Sequence, residues 1–280
     1  MLWKGRRESS NVDDRRGLSG GKMLAGGGLI GVVVLLLNVF LGDGDLSDLQ
    51  QALPQQQQQE MTAEQKAAED ERAGFVKVVL ADTEDVWDKL FQQQGQTYQK
   101  PTLVLFRGST ESGCGFASSA TGPFYCPADN DVYIDLSFAQ EMKDRFSASG
   151  DFALAYVVAH EVGHHIQFLM GTSAKMQKLR QQLSEVDYNK QSVALELQAD
   201  FFAGIWAHYN QKMKNVINSE DIADALNAAN AIGDDRLQRE AQGHVTPDAF
   251  THGTSAQRMY WFKKGFETGD LSQGNTFSAN

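Results

Sequence analysis

Phe152-Ala-Leu-Ala-Tyr-Val-Val-Ala-His160-Glu161-Val-Gly-His164-His165-Ile-Gln-Phe-Leu-Met170 is an apolar run interrupted by three histidines and a glutamate. Ala153, Leu154, Val157, Val158, Val162, Ile166 and Leu169 cover most of a helical surface, so the run predicts a buried helix. Residues four apart on a helix lie one turn up on nearly the same face, which lets His160 and His164 converge on one ion. Glu161 then stands beside that ion, where its carboxylate reaches a metal-bound water without being a ligand. Two histidines and a glutamate are costly in an apolar helix unless something pairs with them, and a dication is the obvious partner.

A catalytic zinc usually has three protein ligands and keeps a fourth position for water. The third ligand is expected downstream, in Ser192-Val-Ala-Leu-Glu-Leu-Gln-Ala-Asp-Phe-Phe-Ala-Gly204, where Glu196 and Asp200 are acids four apart in an apolar helix. Leu195, Leu197, Ala199, Phe201 and Phe202 argue against a solvated face there. Glu196 would complete a His-His-Glu set. Asp200 would accept the N–H of a liganding imidazole and fix its tautomer.

Around this pair of helices the chain reads as a mostly helical α+β domain with a small sheet. Residues 75–91 carry apolar positions at helical spacing, broken near Ala81-Asp-Thr83. Thr102-Leu-Val-Leu-Phe106 is strand-like, and residues 107–115 read as a loop. Residues 124–126 and 132–136 read as a hairpin across the turn-rich Pro127-Ala-Asp-Asn-Asp131. Ser137 could cap a helix to about residue 146, and further helices are expected over 173–183, 190–213, 220–239 and 255–266. The polar tail, residues 269–280, should be loose.

The 280 residues are 41% hydrophobic and 22% charged, which suits one sizeable domain with attachments. The net charge is −11, but residues 1–42 carry +3, leaving −14 on the remainder. So acidic a main region, without a Lys/Arg cluster, argues against nucleic acid as its ligand. Lys4, Arg6, Arg7, Arg15, Arg16 and Lys22 precede a charge-free run over residues 23–41, long enough to cross a bilayer once. The expectation is a basic cytoplasmic N-terminus over 1–22, a transmembrane anchor over 23–41, a Gln-rich linker over 42–72 and the folded domain over 73–268 in the periplasm or outside. A cleaved signal peptide is the rival, but the apolar core is long for one and residues 38–42 offer no small-x-small site. Cys114 and Cys126, the chain's two cysteines, are read as a disulfide in that oxidising compartment, in preference to free thiols.

The remaining histidines differ in context. His165 lies about 100° round the helix from His164 and, like His208, is expected to be structural. His252 sits between Thr251 and Gly253, ahead of a helix, where it could donate to the oxygen on which charge develops in peptide hydrolysis. Arg258 is the alternative donor.

The His160-Glu-Val-Gly-His164 helix followed by Glu196-Leu-Gln-Ala-Asp200 resembles the gluzincin pattern, in which the glutamate of Glu-x-x-x-Asp is the third zinc ligand. With residues 113–129, 132–138 and Thr251-His-Gly-Thr-Ser-Ala-Gln-Arg258, the chain resembles the bacterial family of neutral zinc metallopeptidases. The resemblance implies a zincin-like, Zn2+-dependent peptidase anchored at the inner membrane, and it does not specify which peptide or protein substrate is cleaved. Two other classes compete with that expectation. A non-catalytic, metal-stabilised module binding envelope proteins would need no carboxylate at Glu161, and a tethered interaction protein would bind no metal.

Overall fold

The computed structural model describes residues 1–17, 61–146 and 150–278. Contacts divide the chain into two units, Met1–Arg16 with Glu69–Asn280 and, separately, Gly17–Ala68. The expected membrane span and most of the expected linker lie outside the described residues. Among those described, no helix is long and apolar enough to cross a membrane.

A four-stranded sheet and a set of helices make up the first unit. Strands β1 (Val12–Asp14), β2 (Thr102–Phe106), β5 (Phe124–Cys126) and β6 (Asp131–Asp135) run in the order β1-β2-β6-β5. The β1-β2 and β2-β6 pairs are parallel, whereas β5 and β6 form the expected antiparallel hairpin, with Phe124 opposite Tyr133 and Cys126 opposite Asp131. Leu103, Leu105, Val132 and Ile134 are fully buried and join the main core. A second hairpin, β3 (Ser109–Ser112) with β4 (Gly115–Ser118), occupies residues expected as loop. Only Thr110 and Ala117, which lie opposite each other, are buried, so its strands carry too little apolar alternation to be read. The Cys114–Cys126 disulfide ties it to β5, as expected.

Helix α1 (Ala63–Gln93) departs from expectation twice. It starts inside the stretch read as linker, and it continues through Ala81-Asp-Thr83. Asp82, Thr83 and Glu84 are buried because they are paired: Asp82 with Arg6, Lys214 and Asn210, and Glu84 with Arg7, Ser9 and Asn11. Polar residues that look like a helix cap are therefore interior partners of the N-terminal segment. That segment, expected as a detached cytoplasmic tail, supplies β1 and is built into the domain.

Helices α2 (Phe138–Phe146), α3 (Asp151–Leu169), α4 (Thr172–Arg180), α5 (Glu185–Lys214), α6 (Ser219–Ala231), α7 (Asp234–Gln242) and α8 (Ser255–Thr268) follow. The stretch expected as one helix over 220–239 breaks between α6 and α7 at Gly233, where a Cβ would lie 2.3 Å from the backbone nitrogen of Ser255. α8 crosses α5 at two glycines: a Cβ on Gly204 would meet the Phe262 carbonyl oxygen at 2.1 Å, and one on Gly265 the Phe201 oxygen at 2.2 Å. Backbone contact at this crossing brings Arg258 of α8 to Asp200 of α5. The polar tail is packed rather than loose: Gln198 donates to the Gly274 carbonyl, and Thr276, 1% exposed, donates to that of Ala194.

Candidate metal centre

α3 is apolar on nearly every face, and Phe152, Leu154, Val157, Val158, Val162 and Ile166 are all buried. At about 1.5–3 kcal/mol per buried large apolar side chain, their packing fixes the helix and offsets the cost of the polar groups it carries. Gly163, between the two motif histidines, lets α5 approach. A Cβ there would sit 2.9 Å from the Ala199 oxygen and 3.1 Å from its Cα.

That close approach brings Glu196 between the histidines. Its Oε2 lies 3.1 Å from His160 Nε2 and its Oε1 3.4 Å from His164 Nε2. One ligand atom from each of His160, His164 and Glu196 lies within 4.8 Å of the others, so the three could hold one metal ion. Their chemistry fits: two imidazole nitrogens and a carboxylate oxygen are donors suited to zinc.

The outward nitrogens test that fit independently. His160 Nδ1 donates to Asp200 Oδ1 at 2.8 Å, as expected, and His164 Nδ1 donates to Gln167 Oε1 at 2.9 Å. Gln167 is fully buried, and its amide donates to the Leu195 carbonyl at 2.6 Å. With the NH₂ so committed, its oxygen must face His164. Both imidazoles therefore carry Nδ1–H, which leaves Nε2 as the nitrogen each can offer to a metal ion once its proton is displaced.

Asp200 is itself held. Arg258 donates to it through Nε at 2.8 Å and Nη2 at 3.0 Å, and the buried Tyr156 hydroxyl donates to its Oδ1. Burial pushes the Asp200 carboxyl up, but the Arg258 and His160 charges outweigh it and hold the group at about 2. Burial likewise opposes ionisation of Glu196, and the two histidines overcome it, leaving its pKa well below the usual carboxylate range. For His160, burial favours the neutral ring, yet the charge and hydrogen bond of Asp200, with Glu196, raise it to about 10. An anionic pocket that draws protons so strongly also draws a cation. Arg258, considered as a donor to substrate, is 2% exposed and engaged by Asp200, Tyr156 and the Ile232 carbonyl. Its place is under the histidine.

The cluster opens on a cleft of about 1040 Å³ lined by Glu161, Phe124, Tyr125, Phe168, Tyr188 and His252, among others. His252 is half exposed, and its Nδ1 lies 3.1 Å from Asp234 Oδ1. The other oxygen of Asp234 accepts the backbone N–H groups of Thr251, His252 and Gly253. The hydrogen bond to Asp234 is the main cause of a raised His252 pKa. Asp234, Tyr156 and Gln167 are the site residues that the sequence reading missed. His165 and His208 are structural, as expected. His165 is buried, donating through Nε2 to the Gln99 carbonyl and accepting from the Tyr125 hydroxyl, and burial lowers its pKa. His208 bonds the Phe266 carbonyl.

The family described as "Putative neutral zinc metallopeptidase" matches residues 1–277. The chain belongs to this family. Its relatives include the uncharacterised protein YpfJ of Escherichia coli strain K12, 52% identical over 286 residues and covering 99% of both chains. Another is the uncharacterised protein Rv2575 of Mycobacterium tuberculosis strain H37Rv, 41% identical over 215 residues, or 73% of this chain and 72% of that one. No solved structure matches.

Proposed function

We propose that the chain is a zinc-dependent peptidase that hydrolyses peptide bonds in the bacterial envelope. The observation that carries this reading is the convergence of His160, His164 and Glu196, with both outward ring nitrogens tethered, beside Glu161 in an open cleft. A zinc ion held by these three residues would supply a Lewis acid that polarises the scissile carbonyl and acidifies a water. Glu161 is the general base: it takes the proton of the attacking water and passes it to the leaving amine. His252, held by Asp234 through Nδ1, donates from its other nitrogen to the carbonyl oxygen as negative charge develops. The apolar wall of Phe124, Tyr125, Phe168 and Tyr188 receives side chains of a peptide or protein substrate.

A disulfide persists in oxidising compartments, which supports placing the domain outside the cytoplasm, with the charge-free run over 23–41 as its contact with the inner membrane. The deciding experiment uses the full chain, since β1 belongs to the domain. Glu161→Gln should retain stoichiometric zinc while peptide hydrolysis falls by about 10²–10⁴-fold, the usual contribution of a general base. A loss under about tenfold removes Glu161 from that role, and hydrolysis indifferent to a chelator overturns the metallopeptidase reading.

A further inference from the structure

We infer that Met1–Arg16 and the domain from Glu69 onward occupy the same side of the membrane. The inference rests on how the first sixteen residues are built in, and it is independent of the peptidase reading.

The N-terminal segment meets the domain in three ways. Its backbone completes the sheet: β1 runs parallel to β2 with Val12 opposite Leu103, the Leu103 N–H donates to the Asn11 carbonyl at 2.9 Å, and the Arg15 N–H donates to that of Leu105 at 2.7 Å. Two further backbone bonds fasten it elsewhere, Ser9 N–H to the Lys77 carbonyl at 3.0 Å and Leu2 N–H to that of Val216 at 2.9 Å. Trp3 packs edge-on against Phe75, ring centroids 5.6 Å apart.

The charges are the more telling contact. Arg6, Arg7, Arg15 and Arg16 resemble the basic flank that holds an N-terminus in the cytoplasm. Here each has another occupation. Arg6 pairs with Asp82, Arg7 with Glu84 and Asp85, and Arg16 with Asp14 and Asp70. Arg15 pairs with Asp13 and donates to the Glu111 carbonyl. Glu84 shows the dependence most clearly. It is 2% exposed, and its hydrogen-bond partners among the described residues, Arg7, Ser9 and Asn11, all come from this segment. Were residues 1–16 on the other side of a bilayer, Glu84 would be a buried carboxylate without them. An uncompensated buried charge is among the most destabilising defects a domain can carry.

The charge-free run is nineteen residues, enough for one crossing and too short for two. A single crossing would put β1 and β2 in different compartments. The expectation of a cytoplasmic N-terminus with an external domain therefore fails in one of its halves, because the two ends of the assembled sheet cannot be separated.

Two single-cysteine variants of the full-length protein test this in native membranes. Lys4→Cys reports on the N-terminal segment and Lys263→Cys on α8; both side chains are well exposed. Cys114 and Cys126 are replaced by serine in both variants, so that the introduced thiol is the only one read whichever compartment holds the domain. Spheroplasts are treated with a membrane-impermeant maleimide, then lysed as a control for total reactivity. The same labelling at both positions, both modified or both protected, is the expected result. Both modified also places the domain outside; both protected places it in the cytoplasm and overturns the envelope location while leaving this inference standing. One modified and the other protected overturns the inference. As a check on assembly, Lys4→Cys with Glu71→Cys, whose native side chains pair at 2.7 Å, should cross-link with a short bis-maleimide in cells. Absence of that cross-link, with both cysteines reactive after lysis, also overturns it.

Discussion

Gln167 joins the two ligand-bearing helices through one side chain, accepting from His164 on α3 and donating to the carbonyl beside Glu196 on α5. Replacing it with leucine removes the acceptor that fixes the His164 tautomer and frees Glu196's helix locally. Zinc affinity of Gln167→Leu, measured by competition with a chromophoric chelator, should fall by about 10–100-fold, the range typical of such outer partners. Unchanged affinity would show that His164 is oriented by packing alone. At His252 the prediction concerns pH. Asp234 raises the His252 pKa, so the protonated ring persists above its ordinary value of 6.5 and is lost as pH rises through the raised one. If that ring donates in catalysis, Asp234→Asn should move the alkaline fall of kcat/KM to lower pH, and an unmoved profile would exclude the role. His160, Glu161, His164, Glu196 and Asp200 were legible because their spacing along two helices is their geometry. Asp234 was not. Its value lies in three backbone N–H groups nearly twenty residues away, and nothing in Gly233-Asp-Asp announces them.

At the scale of elements, the position of α5 against α3 depends on what is missing from Gly163. Gly163→Ala puts a methyl carbon against the Ala199 backbone at 2.9 Å, and backbone cannot swing aside as a side chain can. The helices must part by a few tenths of an ångström. Overpacking of this kind costs about 1–3 kcal/mol, and because Glu196 rides on the displaced helix, zinc binding should weaken together with thermal stability. A variant as stable as the parent and with full zinc affinity would show that the helices tolerate the shift. The same elements explain what sequence patterns conveyed and what they concealed. α3 and α5 were legible through their apolar periodicity and acid-histidine spacing. α1 read as two helices because Asp82, Thr83 and Glu84 have the composition of a cap, and only the arginines of a distant segment turn them into interior residues. β1, three residues long with two aspartates, has no strand signature at all. It is a strand because β2 offers an edge.

For the whole molecule, the first sixteen residues are part of the fold. Deleting them leaves Glu84 without its hydrogen-bond partners and uncovers the edge of β2. A chain beginning at Ala73 should therefore lose about 3–5 kcal/mol from the buried carboxylate alone, a large share of an ordinary domain's stability of about 5–15 kcal/mol. Circular dichroism melting of that fragment beside the full chain reads this directly, and equal melting temperatures would show that the segment is dispensable. The arrangement also sets an order of events during synthesis. β1 emerges first, yet its partner β2 follows roughly ninety residues later, and a loop of that length closes at little extra entropy but only after a wait. Until then β2 has an open edge and the nascent N-terminus has nowhere to go. Residues 1–16 can therefore dock only after β2 has been made, and a bulky group added at Met1 would be felt at that step, as slow closure and aggregation through the waiting strand.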